Sequence, residues 1–576
     1  MNSINSRLLT FLLALASSTF AEEISLDRHP IFEQHQAPEI PIEDKGVQVA
    51  VLSDLNRLNL KNLPTDSERY SSWQKTAWRG ERVNGQIALW SGQNLQQVCL
   101  QTTTAKSADG SEIPLNASFV RTTTAVGEVI PDIIDPIKQL DLPHGSLRSI
   151  WLSADIPANA RPGKYTGSIT IRAKGETSVS IPVLLEVLPA TLPKPADWTI
   201  HLDLWQHPEA VARWHQVEAW SPEHFALLRP IMKRLADAGQ KSITCSLIDE
   251  AWNGQTYDWW PSMIEWIRQE DGSMAYDFSH FDQWVTFMCE EIGIREQITC
   301  YTMLPWSLKI RFFDKASQAY DTLDLRPGEE SYAKIWGHFL TEFRKHVAEK
   351  GWLQNVCIGI DERPDAYVRA AKAVLDQYAP DLRIASAVNR PTETSDSVHD
   401  LSVTFEHADS VLGSLPDARR QAGQKTTFYV CMSPARPNTF TASPLAEAEW
   451  LGYFAAANHL DGILRWAYQS WNRDPFEKTD FGNWTAGDCF LVYPGNRPSL
   501  HFEKLRDGIE EFEKIQILRQ QAKMPSATPA LRQAVATMDA LLSKLFTVAR
   551  GQGQSHQADV EQAQQAVLQA TQHLPR

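Results

Sequence analysis

The sequence predicts a multidomain β plus α/β protein, with an N-terminal antiparallel β-sandwich, a (β/α)8 barrel and a C-terminal helical tail. Three observations predict it. Apolar residues recur with period two from about residue 46 to 188, a proline-rich stretch follows, and beyond residue 195 strand-like and helix-like segments alternate. The length agrees, since 576 residues exceed one hydrophobic core and a domain usually takes roughly 100 to 200. The expected units are a leader over 1–21, a sandwich over 22–195, a barrel over 196–515 and a helical extension over 516–576.

The leader is read from Arg7, an apolar run over 8–16 and small residues ending at Ala21, the pattern of a secretory signal peptide. It implies export to the periplasm or the medium. No later segment approaches the ~20 apolar residues of a membrane span, so a soluble mature protein is expected. In the sandwich, Tyr165, Gly167, Ile169 and Ile171 alternate with polar residues. After a Lys174-Gly175 turn, Val179, Ile181, Val183, Leu185 and Val187 continue the pattern, which predicts a β-hairpin. Shorter strands are expected over 47–52, 86–90, 95–101 and 150–154. Pro189, Pro193 and Pro195 then suggest a stiff connector.

Eight barrel strands are expected over 199–204, 243–248, 298–303, 356–360, 383–388, 401–405, 427–431 and 462–466. Helices over 279–293, 331–350, 365–379 and 443–459 separate most of them. The first helix has its start in Ser221-Pro222 and its stop at Gly239. No glycine-rich phosphate loop follows the first strand, against an open dinucleotide-binding sheet. Seven cysteines without CxxC spacing read as buried thiols, neither a disulfide frame nor a zinc site. A formal charge of -15 argues against nucleic acid as a partner. Neither a metal nor a cofactor is implied, and the oligomeric state is open.

Barrels carry their sites where the strands end, so the residues there are the candidates. They include Asp203, Trp205 and His207; Asp249 and Glu250; Tyr301 and Trp306; Asp361 and Glu362; Asn389; Glu406 and His407; Arg436 and Asn438; and Trp466, Tyr468 and Trp471. Carboxylates among aromatic and amide side chains suit glycosidic bond cleavage, which needs a proton donor, negative charge near a cationic transition state and flat apolar platforms. Sixteen of the twenty tryptophans fall between Trp198 and Trp484, although core is the commoner use of any one. Two Asp-Glu pairs compete, Asp249-Glu250 and Asp361-Glu362, and either could instead cap a helix or form structural salt bridges. Neighbours on a strand point to opposite faces, so both acids serve one site only where the chain turns, and Pro364 marks such an ending. Asp365 is the expected cap of the next helix. His207 and His407 read as hydrogen-bonded supports.

Several stretches resemble glycoside hydrolase family 123: RGERVNGQ (79–86), ARPGKYTGSITI (160–171), LDLWQHP (202–208), GIDERPD (359–365), RPNTF (436–440), DGILRWAYQSW (461–471), FLVYPG (490–495) and RDGIEEFEK (506–514). Each is weak alone; their order across both domains is specific. The tail after about Arg519 is not covered, and Asp249-Glu250 departs from the pattern. The resemblance implies a retaining β-N-acetylgalactosaminidase-like enzyme acting on glycans with terminal N-acetylhexosamine. Asp361 would stay ionised, orient the acetamido group and stabilise an oxazolinium; Glu362 would be general acid, then base. Trp205, Tyr301, Trp306, Asn438, Trp466, Tyr468 and Trp471 are the expected sugar contacts. The alternatives are a conventional retaining glycosidase with Glu250 or Glu406 as nucleophile, and a non-catalytic glycan binder.

Overall fold

The computed structural model describes residue 42 and residues 45–575. The leader therefore lies outside the described residues. Among those described, no helix is long and apolar enough to cross a membrane.

Two β-sheets form the N-terminal part. One runs in the order Gln48–Leu52, Arg82–Trp90, Leu147–Asp155, Asn116–Ala125, Glu128–Asp135, all antiparallel. The other places Trp73–Arg79, Val179–Thr191, Gly163–Arg172, Leu95–Thr102 and Gln139–Leu142 side by side. Its hairpin has the register the alternation demands, with Tyr165 opposite Leu185 and Ile171 opposite Val179. Ile87, Ile150, Tyr165, Ile169 and Val183 from the two sheets share one core. The proline connector is shorter than expected. Strand Val179–Thr191 absorbs Pro189 as it leaves the sheet, and Leu192 and Trp198 are buried against the next domain.

All eight expected barrel strands form: His201–Leu204, Ser242–Ser246, Gln297–Tyr301, Val356–Asp361, Arg383–Val388, Asp400–Thr404, Lys425–Tyr429 and Gly462–Arg465, here strands 1 to 8. Each is parallel to its neighbour, running 1-8-7-6-5-4-3-2 around the wall. The seam between strands 1 and 2 is nearly closed. Lys241 N donates to Leu202 O at 2.9 Å, and Gln240 and Gln206 side chains replace backbone rungs, Leu204 N to Gln240 Oε1 (2.9 Å) and Thr244 N to Gln206 Oε1 (2.9 Å). Between strands 2 and 4 the chain builds an unforeseen four-stranded sheet, in the order Met274–Asp277, Glu265–Arg268, Lys309–Asp314, Ala319–Asp324.

At the N-terminal end of the barrel the polar groups are paired. His201 Nε2 and Gln297 Nε2 both reach Asp400 Oδ2, at 2.9 and 2.8 Å, and Lys425 bonds Glu296. Burial alone would push His201 down, but Asp400 overrides it and holds the imidazole up at about 9. The C-terminal end is different, and the candidate site lies there.

The boundary expected after residue 515 falls inside one helix, Leu500–Lys523. That helix is wedged between the sandwich and helix Leu445–Ala457, where Gly452 and Gly508 touch; a Cβ on Gly452 would sit 2.0 Å from Gly508 O. Helices Pro529–Leu545, Val548–Gly551 and His556–Thr571 complete the tail.

Candidate active site

Asp361 is the last residue of strand 4, and Glu362 follows with φ +47°. A left-handed residue costs energy in any side chain with a Cβ, and here it breaks the strand's alternation so that the charges of two successive acids act on each other. Glu362 N still bonds Ala387 O at 2.8 Å, holding the turn to strand 5. Gly359 sits two residues back because Tyr301 of strand 3 lies across it; a Cβ there would meet the ring at 2.6 Å.

The two carboxylates have different partners. Trp306 Nε1 donates to Asp361 Oδ2 at 3.4 Å, and Trp252 also lies against this carboxylate. Burial, then the neighbouring charge of Glu362, pushes Asp361 up to about 7. Glu362 Oε1 accepts from Tyr429 Oη, at the end of strand 7, at 2.5 Å. Burial and Glu362 push the Tyr429 phenol well above its usual range, so it remains a donor. The Arg363 guanidinium lies 5.1 Å over the Trp306 ring and completes the wall. Sequence reasoning missed Trp252, Tyr429 and the side chain of Arg363. Tyr429 shares the inward face of its strand with Thr427, a signal that alternation carries; Trp252 sits in an irregular loop and had none.

The rival pair is occupied elsewhere. Asp249 accepts from Ser262 N at 2.6 Å and from Arg311 Nη1 at 3.1 Å; Glu250 accepts from Trp260 N at 2.7 Å. Both fasten the loop after strand 2. Glu406 is exposed and takes a hydrogen bond from Ser433 Oγ at 2.7 Å.

Of the expected sugar contacts, the structure brings Trp205, Tyr301 and Trp306 to the pair. Trp205 and Tyr301 stand 4.6 Å apart, each 5.0 to 5.1 Å from Trp252, and Trp306 is 38% exposed. Three others are enclosed and have their polar hydrogens spent within the protein. Asn438 is fully buried, its amide donating to Cys431 O and Pro434 O at 2.7 and 2.8 Å, which shapes the loop after strand 7. Tyr468 and Trp471 are enclosed, with their polar hydrogens spent on Ile231 O (3.0 Å) and Val492 O (2.6 Å). Trp466 donates to Asp488 at 3.2 Å and is 8% exposed, more than Trp205 or Tyr301. Asp365 is not a cap either. Pro364 occupies that position, and the Asp365 carboxylate takes Thr394 Oγ1 at 2.7 Å.

The catalytic-domain model of glycoside hydrolase family 123 matches residues 205–518, and the N-terminal-domain model of the same family matches 53–173. The chain belongs to glycoside hydrolase family 123. It is similar to a family 123 glycoside hydrolase from Clostridium perfringens whose structure addresses glycolipid glycan hydrolysis, at 26% identity over 91% of this chain and 98% of that one, with a TM-score of 0.82. A family 39 glycoside hydrolase from Bacteroides cellulosilyticus, 12% identical over 72% of this chain and 80% of its own, has a TM-score of 0.32, too low to carry argument. No curated protein matches the chain. The family 123 membership makes the protein a glycoside hydrolase and its substrate a glycan.

Proposed function

We propose that the protein releases terminal β-linked N-acetylhexosamine, N-acetylgalactosamine foremost, with the sugar's own acetamido oxygen as nucleophile and with Asp361 and Glu362 as the catalytic pair. The observation that carries it is the phenol of Tyr429 opposite Glu362. A conventional retaining enzyme keeps a second carboxylate about 5 Å from the acid as nucleophile. Here a protonated tyrosine meets Glu362, Glu250 is tied to a loop, and Glu406 is exposed. The acid adjacent to Glu362 is Asp361, placed among donors and aromatic rings.

In the first step the acetamido oxygen attacks C1 while the bond to the leaving oxygen breaks and Glu362 supplies the proton. Asp361 takes the hydrogen bond of the acetamido N–H and offsets the charge of the oxazolinium. Glu362 then accepts a proton from water, which adds to C1 and reopens the ring, restoring the acetamide. Two displacements at one carbon retain the configuration. With a leader of the secretory pattern, this chemistry belongs outside the cytoplasm.

The test is hydrolysis of aryl β-glycosides of N-acetylgalactosamine, N-acetylglucosamine and galactose, side by side, with a galactosamine-derived thiazoline as inhibitor. Turnover of the acetamido sugars with strong thiazoline inhibition is expected. Equal turnover of plain galactoside would end the proposal.

A pH dependence follows. Asp361 works as the anion, and burial and the charge of Glu362 push it up to about 7, so kcat/KM should fall as pH drops through about 7. The acid limb belongs to the interacting pair, not to one residue. A pH profile flat from 5 to 8 would contradict the placement of Asp361.

A further inference from the structure

Just beyond the ends of strands 1 and 8, which are neighbours in the barrel wall, lie buried polar side chains that the mechanism does not use. His207 is 0% exposed and neither ring nitrogen has a well-formed partner in the protein, although the Trp259 backbone lies near the ring. Glu209, in the first turn of helix Pro208–His215, has no well-formed partner at either buried carboxylate oxygen, although its own backbone amide lies near; its Oε2 is 3.9 Å from His207 Nε2. Gln469 is fully buried with both amide atoms unpartnered. Tyr468 N donates to Trp205 O at 2.9 Å, which holds the chain at Gln469 beside the exit of strand 1.

Leaving such atoms unpaired costs about 1–3 kcal/mol each, so fold stability does not account for them. Contrast the other end of the barrel, where His201, Asp400 and Gln297 satisfy one another. The three groups are also neutral. Burial pushes Glu209 up to about 8 and His207 down to about 3, so at neutral pH one is a carboxylic acid and the other an imidazole. The nearest charges, Arg213 and Asp258, pair with each other at 2.8 Å. A neutral acid, a neutral imidazole and an amide each offer a donor and an acceptor, which matches hydroxyl groups and does not match an ion. An unbroken row of rings leads from them to the reacting pair: His207 stacks on Trp260 at 3.9 Å, Trp260 contacts Trp252 at 4.4 Å, and Trp252 lies against Asp361.

We propose that His207, Glu209 and Gln469 form a hydroxyl-binding pocket for the edge of the sugar remote from its acetamido group, C4 and C6, and so set the choice between galacto and gluco substrates. This rests on the acetamido-sugar reading of the Asp361-Glu362 site. Hydroxyls there satisfy the unpaired atoms only when the right epimer is bound; a site built to bond a hydroxyl rejects an analogue that lacks it, because its own groups are then stranded.

The experiment measures kcat/KM of the full protein, of Glu209→Ala, Glu209→Gln and Gln469→Ala, on an aryl β-N-acetylgalactosaminide and on its 4-deoxy and 6-deoxy analogues. Failure of the unmutated protein to turn over the parent glycoside would remove the underlying reading, and this inference with it. Given turnover, Glu209→Ala should lower kcat/KM on the parent by about 10- to 100-fold. On at least one deoxy analogue it should lose less than threefold further, because that contact is already gone. Glu209→Gln, which keeps a donor and an acceptor, should recover most of the parent rate. Gln469→Ala should show the same non-additive pattern and covers the case in which Glu209→Ala fails to fold. Equal factors on all three substrates for every folded variant, or an unchanged parent rate, would overturn the pocket.

Discussion

Glu362→Gln should lower kcat by about 10²- to 10⁴-fold on a glycan or a poorly activated aryl glycoside, the range that positioned proton transfer contributes. On an aryl glycoside with a strongly acidic phenol, kcat/KM should fall much less, since that leaving group departs without a proton. Asp361→Asn should behave otherwise and lower kcat/KM on both substrates alike, because charge at the oxazolinium is needed whatever the leaving group. The geometry assigns these unlike responses. Glu362 faces the Tyr429 hydroxyl at the end of strand 7, whereas Asp361 lies among Trp306, Trp252 and Tyr301. An inverted pattern, with Asp361→Asn rescued by the acidic phenol, would exchange the two roles.

Asp361 has a further signature. Its folded pKa, about 7, lies above that of the unfolded chain, so ionising it opposes folding. The destabilisation grows as pH rises from about 4 to about 7 and is complete above that. Asp361→Asn carries no such charge and should therefore raise Tm at pH 8 while leaving it nearly unchanged at pH 4. The resemblance implies an ionised aspartate, but burial and Glu362 make that charge costly, a cost that a bound acetamido N–H and a cationic intermediate would offset.

The barrel was legible because its signals are local. Each strand is a short buried run, most of the helices between them have an apolar face, and eight such repeats leave few topologies open. GIDERPD was legible for the same reason, since a glycine, two acids and a proline mark a strand end and a turn. What sequence reasoning misassigned depends on distant pairing. Tyr468 and Trp471 follow strand 8 as platform residues should. The chain then returns as Phe490, Leu491 and Val492, bonding Gln469, Tyr468 and Trp471, and turns the aromatics into core. Asn438 was lost to the loop that Glu447, a buried acid on the following helix, holds through Arg436 and the Asn438 amide. The boundary set after residue 515 cuts the helix Leu500–Lys523 for a related reason: the helix is buried on several sides and shows no single apolar stripe by which its full length could be read.

That helix supplies the largest expected loss of stability. Lys504 Nζ, with its side chain 1% exposed, lies 2.7 Å from Asp507 Oδ2, 2.7 Å from Glu449 Oε2 and 3.2 Å from Asp54 Oδ2. It joins the sandwich, through Asp54, to helix Leu445–Ala457 and to its own helix. Only Lys75, at 2.9 Å from Asp54, would remain to balance three carboxylates. Breaking a buried pair by removing one partner costs about 3–5 kcal/mol, because the stranded charge keeps its desolvation penalty. Lys504→Met should lose that much in urea unfolding at pH 8, and the sandwich should melt ahead of the barrel because the link between them is the part removed. Burial already lifts Asp507 to about 6 despite Lys504 beside it, so without the ammonium its carboxyl is protonated more readily. The loss should therefore shrink as pH falls to 5, and Asp507→Asn added to Lys504→Met should restore a good part of it, a coupling that independent sites would not show. A cost below about 1 kcal/mol at pH 8, or one that does not change with pH, would mean that the three acids are relieved without Lys504.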